Sequence, residues 1–146
     1  MDTGRPPDRQ FFEQPLSALV GTEHPYVARA ACEHGRQKAR IERYLDIARR
    51  DKLPILAEGA FGTNLPEGGY YVKPTLIGDV PVDHTLAQEE IFGPVLVALR
   101  FKDEGDAIRI ANATPYGLAA GVWTADLGRS MRLSHKIQSG QVFVNN

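Results

Sequence analysis

The sequence lacks the features that mark several classes of protein. It has a single cysteine, Cys32, so an internal disulfide is excluded, and no Cys/His spacing resembles a metal site. No apolar run approaches the roughly 18 residues of a membrane span, and residues 1–15 have no apolar core like that of a signal peptide. The net charge of -1 indicates no basic face for nucleic acid. We therefore expect a cytoplasmic protein without a membrane or nucleic-acid partner.

The composition is that of a folded chain. Of the 146 residues, 42% are hydrophobic, which suffices for the core of one domain. Residues 1–22 are interrupted by glycine and proline and show little periodicity, so we interpret them as an irregular N-terminal segment. The folded domain is then expected to span residues 23–146.

A long helix is predicted from residue 26 to about residue 50. Four apolar residues recur at the i, i+3, i+4, i+7 spacing of one helical face. They are Ile41, Tyr44, Leu45 and Ala48. Gly35 is a point where this helix could be interrupted. The many charged residues of the same stretch are more typical of a solvated face than of an anion site.

The following segments indicate extended chain and loops. The run 54–57 has the composition of a buried strand, and residues 58–69 that of a surface loop. Residues 70–76 are expected to be extended. Because Pro74 has no N–H to donate, we predict an edge position or a hairpin arm for this segment.

The second half alternates strand-like and helical runs. The strand-like runs are residues 95–101, 119–123 and 141–144. Asp103 and Asp126 are N-cap candidates for the two intervening helices, the second of which should end by Gly140. This order predicts an α/β fold with a mainly parallel sheet and crossover helices. Because the chain stops directly after a strand expected to be buried, we predict an incomplete domain.

Residues 88–94, QEEIFGP, combine two carboxylates, an aromatic ring and a Gly-Pro turn before a strand. A glutamate can accept hydrogen bonds from both hydroxyls of a ribose, and an aromatic residue two positions later can pack on a flat ring. On spacing alone, Glu89 and Glu90 are more often solvated loop carboxylates, and Phe92 is more often a core anchor. The pattern by itself therefore favours the structural interpretation.

The segment EEIFGPV nevertheless resembles a motif of the aldehyde dehydrogenase superfamily, and three further segments resemble that family in its order and spacing. These segments are GYYVKPTL (69–76), TPYGLAAGVWT (114–124) and SGQVFVN (139–145). The resemblance covers about residues 26–146 and is strong as a set, although each segment alone is weak. It implies an incomplete catalytic domain of an NAD(P)-dependent aldehyde dehydrogenase, corresponding to the C-terminal part of the catalytic region.

The resemblance implies roles for single residues. Glu90 matches the second glutamate of the motif and would hydrogen-bond the nicotinamide-side ribose, and Phe92 would contact the nicotinamide ring. Glu89 has no comparable role in the family, and Asn145 is expected to be structural. The implied cofactor is NAD or NADP, with weak or no binding expected for the chain alone.

The family's nucleophile, general base and dinucleotide-binding half precede this region and have no match here. In the family, a cysteine thiolate attacks an aldehyde and the product is a carboxylic acid. Cys32 lacks the Gly-Gln pair that precedes the family's cysteine, and His34 is interpreted as a surface histidine. The group Asp79, Asp83 and His84 is interpreted as a turn rather than a metal site. We therefore predict no catalytic residue and no activity of the isolated chain.

Three hypotheses follow. The first is a fragment of an aldehyde dehydrogenase, as a truncated product or one part of a split protein, whose parent enzyme acts on a small-molecule aldehyde. The second is a noncatalytic interaction module that associates with itself or pairs with a longer homologue through exposed strand edges and apolar faces. The third is a weak nucleotide-binding domain.

Overall fold

A computed structural model describes residues 31–32, 34–61 and 65–146. The predicted irregular segment 1–22 and the beginning of the predicted long helix lie outside these residues. The described residues form two compact units. The first comprises the described residues up to Gly78 together with Ile91–Ala98, and the second comprises Asp79–Glu90 and Leu99–Asn146.

Helix α1, Gly35–Arg50, provides half of the buried hydrophobic residues described in the first unit. The four residues of its predicted apolar face are all buried, which confirms the interpretation from their spacing. The helix begins after His34, whose backbone is extended and whose carbonyl oxygen accepts hydrogen bonds from the amides of Gln37 and Lys38. Gly35 is therefore the first residue of the helix rather than an interruption within it.

Five short strands belong to the first unit. They are β1 (Ala31–Cys32), β2 (Ile55–Glu58), β3 (Tyr70–Tyr71), β4 (Thr75–Ile77) and β5 (Val95–Val97). Strands β1 and β3 pair antiparallel, and β4 lies between an antiparallel β2 and a parallel β5. The prediction of helix at residues 31–32 was wrong, because these residues pair with β3, about 40 residues further along the chain.

Two further predictions for the first unit require correction. Of the segment 70–76, β3 lies at the edge of a two-stranded sheet, as predicted, but β4 is central in its sheet. Pro74 lies just before β4, so the first donor needed is Thr75, whose amide bonds the Pro94 carbonyl oxygen at 2.9 Å. Strand β2 is present as predicted but is not buried. It is an outer strand of the sheet, and Ile55 and Leu56 remain 40% and 42% exposed.

The second unit contains the predicted alternation of strands and helices. Its elements are α2 (Thr85–Gln88), α3 (Glu104–Ala111), β6 (Ala119–Val122), α4 (Leu127–Lys136) and β7 (Gln141–Val144). Strands β6 and β7 are parallel, and α4 is the crossover between them. The α/β class with parallel, crossover-connected strands is thus confirmed.

The helix starts of the second unit follow the prediction closely. The Asp103 carboxylate accepts a hydrogen bond from the Asp106 amide, and the Asp126 carboxylate accepts one from the Arg129 amide, each at 2.8 Å. A carboxylate at this position satisfies an amide that has no partner within the helix. Helix α4 ends at Lys136, before the predicted stop at Gly140.

The last strand, β7, was predicted to be buried, and this prediction was wrong. Phe143 and Val144 are 44% and 40% exposed, because β7 is an outer strand of a two-stranded sheet within the described second unit. None of the described helices has the length and hydropathy needed to cross a membrane.

Candidate cofactor-binding residues

The loop before β5 holds Phe92 at the surface of the first unit. Ile91 is buried, whereas the Phe92 side chain is 66% exposed. Phe92 has a φ of 55°, a left-handed backbone conformation that bulky residues seldom adopt. The alternative that Phe92 is a core anchor is therefore wrong. A backbone held in this conformation next to an exposed ring marks a constrained segment that favours a functional role.

Two contacts with helix α1 hold the backbone at Phe92 and Gly93. The Gln37 side-chain amide of helix α1 donates a hydrogen bond to the Phe92 carbonyl oxygen at 3.2 Å. At Gly93, a Cβ atom would overlap the side chain of Ile41, so the close approach of the loop to α1 requires glycine. Helix α1 thus fixes the backbone that carries the ring.

Glu90 lies in the second unit, two residues after the end of helix α2. The helix is anchored by Leu86, which is 3% exposed and whose amide bonds Nδ1 of His84 at 3.1 Å. Gln88 donates a side-chain hydrogen bond to the Val82 carbonyl oxygen at 2.5 Å. Glu90 itself is exposed. Its residue type and exposure are suited to accepting hydrogen bonds from a ligand that carries hydroxyl groups.

The Glu90 backbone is tied to a tyrosine that the sequence did not single out. Its amide donates a hydrogen bond to the hydroxyl oxygen of Tyr116 at 3.2 Å, across 26 residues of sequence. The Tyr116 amide in turn donates to Oγ1 of Thr114 at 2.9 Å. Glu90 and Tyr116 are both in the second unit, and Phe92 is in the first.

Several other residues considered from the sequence have structural roles. Asp79 forms an ion pair with Arg100 at 2.5 Å, and His84 is the N-cap of helix α2. Within the described ranges, no three His, Cys, Asp or Glu side chains are grouped so that they could hold a metal ion. Cys32 lies in strand β1 rather than in a helix, and His34 is an exposed residue before α1.

Asn145 connects the ends of strands β6 and β7. Its side chain accepts a hydrogen bond from the Thr124 amide and donates one to the Thr124 carbonyl oxygen, both at 2.9 Å. Asn145 has a φ of 52°, which asparagine tolerates better than most residues. These contacts give Asn145 a structural role, as expected from the sequence.

A cavity of about 340 Å³ opens on the first unit, lined by residues of α1, β2 and the chain between β3 and β4. The lysines in the wall of this cavity form ion pairs with carboxylates. Lys73 is 3.3 Å from Glu58, and Lys38 is 3.7 Å from Glu42. Because these pairs offset each other's charge, we assign no phosphate-binding role to this cavity.

The fold, the four motif segments and the loop geometry define a class of enzyme. The chain belongs to the aldehyde dehydrogenase family, whose sequence model matches residues 17–146. It is 38% identical to a betaine aldehyde dehydrogenase of Rhizobium leguminosarum bv. trifolii over 75% of this chain and 22% of that protein. It is 43% identical to an aldehyde dehydrogenase of Rhodospirillum rubrum over 93% of this chain and 28% of that protein.

Solved structures give the same family. A Burkholderia cenocepacia protein described as an aldehyde dehydrogenase is 50% identical, with a TM-score of 0.75 over 77% of this chain and 24% of that chain. A Staphylococcus aureus betaine aldehyde dehydrogenase in complex with NAD+ is 32% identical, with a TM-score of 0.71 over 77% and 23% of the two chains. The chain thus spans about a quarter of the length of the relatives it matches. The resemblance found in the sequence is confirmed.

Proposed function

We propose that this chain provides part of the NAD(P)-contacting surface of an aldehyde dehydrogenase. The longer enzyme to which the region corresponds would oxidise an aldehyde to a carboxylic acid through a cysteine nucleophile and a thiohemiacetal. Family membership and the similarity to a structure determined with NAD+ support this proposal.

The exposed, left-handed Phe92 is the observation that carries the proposal. An aromatic ring that is 66% exposed on a constrained backbone contributes little to the core, so contact with a ligand that has a flat ring explains its position better than packing does. We assign Phe92 to the nicotinamide ring. Stacking or edge contact there would orient the ring without any charge on the protein side.

We assign Glu90 to the nicotinamide-side ribose. A carboxylate accepts hydrogen bonds at both oxygens, which matches the two neighbouring hydroxyls of a ribose. The dinucleotide would supply the oxidising chemistry when it is bound. The contribution of this chain is binding and orientation, because no residue here matches the family's nucleophile or general base.

A titration of the 146-residue chain with NAD+, followed by the amide shifts of a ¹⁵N-labelled sample, tests these assignments. Glu90→Gln should weaken binding about tenfold or more, because a hydrogen bond to a charged group contributes roughly 1.5–3 kcal/mol. Phe92→Ala should weaken it as well. Glu89→Gln is the matched control, since it neutralises the neighbouring carboxylate, which is not assigned to the ribose. Equal affinity of the Glu90→Gln and wild-type chains would remove Glu90 from the site. A parallel titration with NADP+ distinguishes the two cofactors.

We further propose that the chain alone does not oxidise aldehydes. An assay of NAD(P)-dependent aldehyde oxidation on the purified chain is expected to show no turnover, because a positioned cofactor without the thiol leaves no covalent path. Robust turnover that Cys32→Ser abolishes would contradict this. We also propose a cytoplasmic location, which is supported by a composition with one cysteine.

A second candidate function is a noncatalytic interaction module, and the exposed apolar side chains of the second unit favour it. Leu118 and Leu127 are 88% and 76% exposed, and Trp123 is 59% exposed. Such a concentration of exposed apolar residues is typical of an association surface. The module would associate with itself or with a longer homologue.

Size-exclusion chromatography with light scattering, alone and with a longer family member, tests this second function. Leu127→Glu is expected to reduce association, because it places a charge in an apolar surface. Lys102→Glu is the control, since it changes charge at an exposed position without removing an apolar side chain. A monomer at all concentrations, with no complex in the mixture, would exclude the interaction module.

A further inference from the structure

The Tyr116 hydroxyl is hydrogen-bonded to the Glu90 backbone within the second unit. Its oxygen accepts the hydrogen bond of the Glu90 amide at 3.2 Å, although the two residues are 26 positions apart. The C-cap of helix α2 is Glu89, whose backbone is extended, and Glu90 is the next residue. The hydrogen bond is therefore located where the chain leaves regular structure.

The loop that carries Tyr116 is fixed on both sides. Before the tyrosine, Oγ1 of Thr114 accepts a hydrogen bond from the Tyr116 amide at 2.9 Å. After it, the Gly117 carbonyl oxygen accepts one from the Gly140 amide at 2.8 Å. A Cβ atom on Gly117 would lie 3.0 Å from the carbonyl oxygen of Gln138, a tight contact that favours glycine at this close approach. The phenol ring thus extends from a constrained loop.

A second contact fixes the turn against which this loop packs. The Asn112 side chain donates a hydrogen bond to the Lys136 carbonyl oxygen at 2.9 Å and accepts one from the Gln138 amide at 2.8 Å. The amide of Asn112 thereby ties the end of helix α3 to the turn before β7. The loop of Tyr116 therefore has several hydrogen bonds around it, whereas residue 90 lies in irregular chain.

We propose that Tyr116 is a positioning residue for Glu90, an inference that rests on the proposed function of Glu90. The phenolic oxygen restrains the Glu90 backbone, and the restraint limits the directions available to the carboxylate. A carboxylate that is oriented before binding loses less conformational entropy when it accepts the hydroxyl pair of a nucleoside ribose. Removing one hydroxyl group should therefore weaken dinucleotide binding without removing any atom that touches the ligand.

The test uses the ¹⁵N-labelled 146-residue chain, NAD+ as the probe and the variant Tyr116→Phe. Exchange of the Glu90 amide proton with water should accelerate about fivefold, the effect of one ordinary hydrogen bond, and the Kd for NAD+ should rise by a similar factor. Tyr70→Phe is the matched control, because it removes the hydroxyl of an exposed tyrosine of the first unit. In a Glu90→Gln background, Tyr116→Phe should have no further effect on the Kd.

The outcomes separate the two proposals. If the wild-type chain binds NAD+ and Tyr116→Phe binds it with the same Kd, the positioning role is overturned. An exchange rate of the Glu90 amide that Tyr116→Phe leaves unchanged also overturns it. An equal loss of affinity in the wild-type and Glu90→Gln backgrounds also overturns it, since Tyr116 would then act independently of the carboxylate. An unchanged Kd in Glu90→Gln alone overturns the proposed function of Glu90 and the ribose assignment that depends on it. If the wild-type chain alone binds NAD+ too weakly for a titration, the Glu90 amide exchange rate decides the positioning role.

Discussion

Gly93 approaches Ile41 so closely that a Cβ atom on the glycine would overlap the isoleucine side chain. Ile41 is fully buried in the middle of helix α1 and is among the largest completely buried side chains of the described residues. The contact therefore joins the loop before β5 to the buried face of helix α1. Phe92, which precedes Gly93, is held in its unusual backbone conformation next to this contact.

Gly93→Ala is predicted to destabilise the chain by roughly 1–3 kcal/mol, as overpacking of a well-filled core does. Thermal unfolding followed by circular dichroism measures the change. Ile41→Val removes the Cδ1 atom nearest to the added methyl group and alone should cost about 0.5–1.5 kcal/mol. The double variant should lose less unfolding free energy than the sum of the two single losses. Additive losses would show that the two residues do not compete for space.

Phe92→Gly is predicted to be more stable than Phe92→Ala by about 1 kcal/mol. Both variants lose the ring, but only glycine adopts a φ of 55° without steric cost. The same unfolding measurement compares the two variants directly. Both should bind NAD+ more weakly than the wild type. Equal stability of the two variants would mean that the backbone conformation at this position carries no strain.

The parts of the fold that the sequence predicted are those that local chemistry determines. The spacing of Ile41, Tyr44, Leu45 and Ala48 specifies a buried helical face within a few turns. The caps of α3 and α4 each depend on an aspartate and an amide three residues later. Strand β1 was missed because its pairing with Tyr70–Tyr71 is not encoded in its own sequence. Burial of β2 and β7 was overestimated because an apolar run does not reveal whether its strand is an outer one.

The candidate site also contains residues that the sequence identified and a residue that only the long-range contacts identified. Glu90 and Phe92 were found through resemblance to a family, since two adjacent carboxylates and an aromatic residue are common in loops. The exposure and φ of Phe92 then distinguish it from a core anchor. Tyr116 could not be identified from its neighbours in sequence, because its contact with the Glu90 amide forms only when distant segments come together.

The carboxyl group of Glu104 is predicted to make the stability of the chain depend on pH. Its carboxylate accepts two hydrogen bonds of 2.8 Å from the Arg132 guanidinium, and this contact holds the pKa of Glu104 below its usual value, with smaller contributions from Arg129 and Lys136. Because the folded-state pKa is the lower one, the stabilisation is complete above the unfolded pKa and is lost as pH falls through the folded pKa.

Unfolding temperatures of the wild type and Glu104→Gln, measured from neutral to acid pH, test this dependence. The wild type should be modestly more stable at neutral pH, since the pair is exposed to solvent, and the difference should vanish in acid. Arg132→Gln should reproduce the same pattern by removing the other partner. A difference that stays constant over the whole range would contradict a role for the Glu104 charge.

Asn145→Ala is predicted to destabilise the second unit by roughly 2 kcal/mol, because it leaves the amide and carbonyl groups of the buried Thr124 without the asparagine contacts. Asn145→Gly should cost less, since glycine also loses both hydrogen bonds but accepts a φ of 52°. Asn145→Asp retains the acceptor and loses the donor, so an intermediate loss is expected. Exchange of the Thr124 amide proton should accelerate in the alanine and glycine variants and much less in the aspartate variant. If all three variants unfold at the wild-type temperature, the bridge between the ends of β6 and β7 contributes nothing to stability, and the asparagine would have to be explained by another contact.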